Sequence, residues 1–101
     1  DAQESRGLGD VYKRQGMARS VTRELGARGV TCNVIAPGFI DTDMTKALDP
    51  DVIKDYEQRI PVGRLGSVDD VAAAALFLAG DAAGYTTGAV IPVDGGLGMG
   101  H

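Results

Sequence analysis

The chain has 101 residues, 44% apolar and 24% charged, with a formal net charge of −4 and one cysteine. That leaves room for one domain at most, which would have to bury roughly 60–70% of its unfolded surface. The acidic balance argues against general attraction to nucleic acid or anionic membrane, and no apolar run approaches the ~20 residues that span a bilayer.

The N-terminus lacks the apolar core of a secretory signal, and a lone Cys32 cannot form an internal disulfide, which fits a reducing cytoplasm. Cys32 lies in an apolar run and is expected to be a packed core thiol rather than a nucleophile. The one histidine, His101, stands at the C-terminus, so neither a His-based triad nor a metal site is expected.

Residues 1–15, DAQESRGLGDVYKRQ, carry no helical or strand periodicity and read as a leader outside the domain, artefactual or disordered. The ordered pattern begins at Gly16. Met17, Val21 and Leu25 fall on one helical stripe, and Gly26 and Gly29 offer the stop. VTCNVIA (30–36) is β-branched and continuous, a buried strand that ends at Pro37-Gly38. Asp49 as N-cap with Pro50 at the first helical position predicts a helix to about Arg59, closed before Pro61. Ser67 and Asp70 predict a capped helix over SVDDVAAAALFLA, with Val68, Val71, Ala72, Ala75, Leu76 and Ala79 on its apolar face. GAVIPV is a short strand ended by Gly95-Gly96, and Pro92 within it favours an edge.

Helix, strand, helical insertion, helix, strand is the rhythm of a parallel α/β sheet. Two such strands cannot cover both faces of a parallel sheet by themselves. Residues 16–101 therefore read as the last two strands, with their helices, of a larger sheet whose first strands are missing.

RELGARGVTCNVIAPGFIDTDMT and IPVGRLGSVDDVAAAALFLAGDAAGYTTGAVIPVDGG, with the spacing between them, resemble the C-terminal half of classical short-chain dehydrogenases/reductases. Among these the resemblance is strongest to the 3-oxoacyl-[acyl-carrier-protein] reductases of fatty-acid synthesis. The resemblance implies a Rossmann-like doubly wound sheet, NADPH or NAD as cofactor, a β-ketoacyl thioester on acyl carrier protein as substrate, and a cytoplasmic homotetramer. The alternatives are another short-chain alcohol or sugar dehydrogenase, and a non-catalytic assembly module.

In doubly wound sheets ligands sit at the carboxyl ends of strands, which is where residues 36–42 fall. By resemblance, Pro37 and Gly38 lie beside the nicotinamide ring, the Ile40 backbone bonds its carboxamide, and the Thr42 hydroxyl lies near carboxamide and pyrophosphate. The chemistry suits those roles. Gly38 permits close approach or positive φ, Pro37 stiffens the turn, and a backbone N–H and C=O together match an amide. The competing reading is that Pro37-Gly38 only ends a strand and Thr42 only caps the next turn. Asp41 and Asp43 read as solvated acids at a helix start.

The resemblance also implies that residues 42–66 form the substrate lid. Met44, Leu48, Ile53 and Tyr56 then either line an acyl channel or pack the insertion. Lys46, with Arg59 and Arg64 at the far end, is a candidate docking site for the acidic carrier protein.

The family's catalytic serine, and its tyrosine and lysine at Tyr-x-x-x-Lys spacing, belong to a region before the one matched here. Tyr12 and Lys13 are adjacent, so on a helix they diverge by about 100° and cannot converge on one carbonyl. No catalytic residue is assigned, and the chain by itself is expected to be inactive.

Overall fold

The structure, a computed structural model, describes residues 2–98; His101 lies outside them. In chain order it contains helix α1 (Ala2–Leu25), a 3-10 turn (Gly26–Arg28), strand β1 (Val34–Pro37), helices α2 (Asp43–Lys46), α3 (Pro50–Arg59) and α4 (Val68–Ala79), a second 3-10 turn (Asp81–Ala83) and strand β2 (Val90–Val93). β1 and β2 pair. Val34 N–H donates to the Ala89 carbonyl at 2.8 Å and Gly38 N–H to the Val93 carbonyl at 3.0 Å, a constant offset along both chains that makes the pair parallel. The chain divides into two compact units, Asp1–Val34 with Leu76–Ile91, and Ile35–Ala75 with Pro92–His101.

In the first unit α1 starts at Ala2, well before the Met17 start that the apolar spacing predicts, and so runs through the segment read as a leader. The residues turned inward are Val11, Gln15, Ala18, Val21, Thr22 and Leu25, with Ala18 only 2% exposed. Met17, expected on this face, is 64% exposed. The reason is the chemistry of the contact. Small Ala18 allows close approach, and Thr22 one turn later donates its hydroxyl to the Ala18 carbonyl at 2.8 Å and meets the Thr87 hydroxyl at 2.8 Å. Gly29, at φ 80°, closes the 3-10 turn, as the sequence led one to expect.

β1 begins at Val34, four residues later than its β-branched run implies. Ahead of it one backbone bond, Gly88 N–H to the Cys32 carbonyl at 2.8 Å, is interleaved with side-chain bonds. Cys32 N–H donates to the Thr87 hydroxyl at 3.0 Å. Asn33 donates to the Thr86 carbonyl and accepts from Ala89 N–H, both at 3.1 Å. Asn33 thus substitutes for a rung of the ladder, so regular pairing starts only after it. Cys32 itself is half-buried and not the packed core thiol expected.

In the second unit the caps are as the sequence spells them. The Asp49 carboxylate accepts from Asp51 N–H at 2.9 Å with Pro50 beside it, and α3 ends at Ile60, whose side chain is 3% exposed. Ahead of α4, Asp70 N–H donates to Ser67 Oγ at 3.1 Å while Ser67 N–H donates to the Asp70 carboxylate at 2.8 Å, a reciprocal capping box. Arg64 reaches the same carboxylate at 2.9 Å. The Arg64 guanidinium, followed by the Ser67 N–H, holds the Asp70 carboxyl well below the usual carboxylate range, and Asp70 raises Arg64 in return.

α4 departs from the sequence reading in its face. Val71, Ala74 and Leu78 are half-buried, whereas Val68, Leu76 and Phe77 are 62%, 76% and 55% exposed. A helix that is apolar almost all round carries more apolar surface than one small neighbour can cover, and periodicity does not select which stripe is covered.

Candidate functional site

The carboxyl end of β1 is built around one glycine. A Cβ on Gly38 would lie 2.7 Å from the Asp94 Cβ and 2.9 Å from its Cα. Gly38 is not among the residues at positive φ. Of the two reasons a glycine could stand there, close approach is therefore the operative one, and what approaches is the backbone at the end of β2. Pro37, ahead of it, is exposed at the end of the strand.

Two residues on, Ile40 forms an isolated parallel bridge with Gly66. The bridge is made by its neighbours: Gly66 N–H donates to the Phe39 carbonyl at 2.9 Å, and Asp41 N–H donates to the Gly66 carbonyl at 2.7 Å. In a parallel bridge the central residue's own N–H and C=O point away from the partner. Neither takes a hydrogen bond among the described residues. Ile40 thus presents an open donor and acceptor side by side, the pattern complementary to a primary amide. Gly66 is required in turn, since a Cβ there would meet Ile40 Cδ1 at 2.8 Å.

Thr42 is exposed and stands at the N-cap of α2. Its N–H donates to Thr45 Oγ1 at 2.8 Å, and the Thr45 hydroxyl is 2.7 Å from both the Asp41 carboxylate and the Thr42 carbonyl. Thr45, which the sequence did not single out, therefore fixes the direction in which the backbone leaves Ile40. Asp41 and Asp43 are exposed at this helix start.

Beyond the turn lies an apolar groove of about 240 Å³. Met44, Leu48, Ile53 and Tyr56 all line it, together with Phe39 and Leu65. Phe39 stacks on Tyr56 with ring centroids 4.2 Å apart and planes 19° off parallel. No spacing rule could have linked Phe39 to Tyr56; only the fold-back of the insertion brings them together. Met44 is 84% exposed at its rim. Lys46 does not line the groove and lies 3.7 Å from Asp43, both side chains in solvent. Such a pair is worth little, so it leaves Lys46 available to another anion. Arg59 and Arg64 are committed to Asp55 and Asp70, at 2.7 and 2.9 Å.

A wider hollow of about 390 Å³ opens at the end of β2, with Pro92, Asp94 and Gly96 on one side and Arg64 and Asp70 among its other lining residues. Asp94 organises this end. Its two carboxylate oxygens accept from Gly96 N–H at 3.0 Å and Gly98 N–H at 3.1 Å. The sequence offered Gly95-Gly96 only as a strand stop; the Asp-Gly-Gly order was the available signal for a side-chain-closed turn. Tyr12 and Lys13 are both exposed on α1, adjacent along the helix.

Residues 14–98 match the family described as enoyl-(acyl carrier protein) reductase. The chain is 57% identical over 86 residues to 3-oxoacyl-[acyl-carrier-protein] reductase MabA of Mycobacterium bovis, covering 85% of this chain and 35% of that protein. It is 48% identical over 84 residues to the FabG reductase of the same name from Salmonella typhimurium, covering 83% and 34%. It is 45% identical over 82 residues to FabG of Chlamydia trachomatis, covering 81% and 33%. The chain thus spans about a third of the length of the curated relatives it matches. With a parallel strand pair and a turn of this family's sequence at its carboxyl end, the chain belongs to the short-chain dehydrogenase/reductase family, within the group described as enoyl-(acyl carrier protein) reductase.

Proposed function

We propose that this chain is the C-terminal part of an NADPH-dependent 3-oxoacyl-[acyl-carrier-protein] reductase, a cytoplasmic homotetramer in its full-length form. The observation that supports the cofactor half of this reading is that Ile40 N–H and C=O, at the carboxyl end of a parallel strand, take no hydrogen bond among the described residues. The relatives' names carry the substrate half.

The residues present fit a nicotinamide. Ile40 N–H and C=O would hold its carboxamide, Gly38 and Pro37 would flank the ring on a turn stiffened by the proline, and the Thr42 hydroxyl would donate to a ligand oxygen without a charged group's desolvation cost. The bound cofactor supplies a hydride for the β-ketone carbon. This segment orients, and the proton for the carbonyl oxygen would come from the family's tyrosine, its pKa lowered by the family's lysine, both expected outside this segment in the full-length chain. Met44, at the rim of the apolar groove, belongs to the lid over the acyl chain.

Full-length enzyme, with the upstream sequence recovered, should oxidise NADPH with a 3-oxoacyl carrier-protein substrate. Turnover only of simple alcohols or sugars would reassign it within the family. Binding to sister subunits without any turnover would make it an assembly module.

Lys46 is the proposed contact with the acidic carrier protein. In full-length enzyme Lys46→Glu should raise KM for carrier-linked substrate about three- to ten-fold at low salt, and less at high salt because exposed charges are screened. Activity on a small thioester without the carrier should stay unchanged. Equal losses on both substrates would mean a disturbed lid instead.

A further inference from the structure

The end of β2 makes contacts that none of the roles above uses. Gly38 is seated directly on the Asp94 backbone, with its N–H bonded to the Val93 carbonyl at 3.0 Å and no room for even a methyl group against Asp94. The Asp94 side chain holds the backbone beyond it at two points, Gly96 N–H on one carboxylate oxygen and Gly98 N–H on the other, in addition to the turn bond from Leu97 N–H to the Asp94 carbonyl at 3.2 Å. The same turn is wedged from its far side. Gly95 accepts from Val62 N–H at 3.0 Å, a Cβ on Gly95 would strike Ile60 Cγ2 at 2.7 Å, and one on Gly96 would press on Pro61 at 3.1 Å. Gly95 and Gly96 sit at φ 64° and 93°, conformations that need an external restraint because glycine has many others to visit.

We infer that Asp94 is a positioning residue for the Pro37–Gly38 turn: by clamping residues 94–98 it fixes the backbone surface against which Gly38 rests. This rests on the reading that residues 37–42 hold nicotinamide. A carboxylate can accept from both amides at once, each oxygen serving one. An asparagine retains one acceptor oxygen and presents an NH₂ group to the other amide. An alanine retains none. The effect is therefore graded, with Asp above Asn and Asn above Ala.

The test uses full-length enzyme as wild type, Asp94→Asn and Asp94→Ala. It measures affinity for NADPH and for 2′-phospho-ADP-ribose, which lacks the nicotinamide ring, together with amide exchange at Gly38, Gly96 and Gly98. Asp94→Asn should accelerate exchange at one of Gly96 and Gly98 and weaken NADPH binding about two- to three-fold. Asp94→Ala should accelerate both and weaken NADPH about three- to ten-fold, the range expected for losing one or two modest hydrogen bonds. Affinity for 2′-phospho-ADP-ribose should not change in either variant, which a merely structural loss could not achieve. Equal weakening for both ligands would overturn the proposal, and so would faster exchange at Gly96 and Gly98 with NADPH affinity unchanged. Asp94→Asn suffices on its own if the alanine variant does not fold. The underlying nicotinamide reading is checked separately in the wild type. Absence of NADPH protection at the Ile40 amide there would overturn both, whereas normal Ile40 protection with unaltered variant affinities would overturn the role of Asp94 alone.

Discussion

Purified by itself, the 101-residue chain will not oxidise NADPH with a 3-oxoacyl substrate and will melt without a single sharp transition. Two separate physical facts lead there. Tyr12 and Lys13 lack the i, i+4 relation that would let them converge on one carbonyl, and without a positioned general acid the proton-transfer contribution of about 10²–10⁴-fold is lost. Cooperativity requires a core, and the described residues supply little of one. Ala18, Ile60 and Ala83 are its buried hydrophobic members, while Leu76, Phe77, Val68 and Met17 are between 55% and 76% exposed. A parallel sheet needs cover on both faces, and two strands of four residues each cannot recruit it. Activity assays on the purified chain, beside a thermal melt followed by near-UV circular dichroism, check both parts. Turnover, or one cooperative transition in a monomer, would contradict the account.

Gly38→Ala in full-length enzyme is expected to be the most damaging small substitution in this segment. The new methyl would sit 2.7 Å from Asp94 Cβ and 2.9 Å from Asp94 Cα. These atoms cannot swing aside like the end of a flexible side chain. Relief requires separating the ends of β1 and β2, which are joined there by the Gly38–Val93 hydrogen bond. Overpacking of this kind costs about 1–3 kcal/mol, and the displaced turn should also bind NADPH more weakly. Gly16→Ala is the matched control. Gly16 lies inside α1 with nothing within 4 Å of its added Cβ, so the same change should be neutral or stabilise by up to about 1 kcal/mol. Denaturant midpoints of the two variants decide it. Equal shifts would mean that the close approach at Gly38 does not govern stability.

What the sequence made legible follows from the range of the interactions concerned. The caps at Asp49 and Ser67 and the stop at Gly29 are local events, decided within three or four residues, and they stand where the residues put them. The start of β1 was misplaced because Asn33 and Thr87 take over backbone groups through contacts more than fifty residues apart in the chain, which no local pattern records. The buried stripe of α4 was misjudged because alanine, valine, leucine and phenylalanine surround that helix and leave the choice of face to its neighbours. The candidate site divides in the same way. Pro37, Gly38, Ile40 and Thr42 lie within six residues of one another and were readable as a unit, and Met44, Leu48, Ile53 and Tyr56 were readable as apolar residues of the insertion. Phe39, Gly66 and Asp94 enter only when chain segments meet across the insertion or across the strand pair.

The claim on which the rest depends is that the open N–H and C=O of Ile40 hold the cofactor's carboxamide. The direct measurement is amide exchange or chemical shift at Ile40 in full-length enzyme, without ligand, with NADPH, and with 2′-phospho-ADP-ribose. Protection of the Ile40 amide by NADPH but not by 2′-phospho-ADP-ribose, with the Asp41 and Gly66 amides protected throughout by their own bridge, is the predicted result. An Ile40 amide that exchanges equally fast with and without NADPH would contradict it.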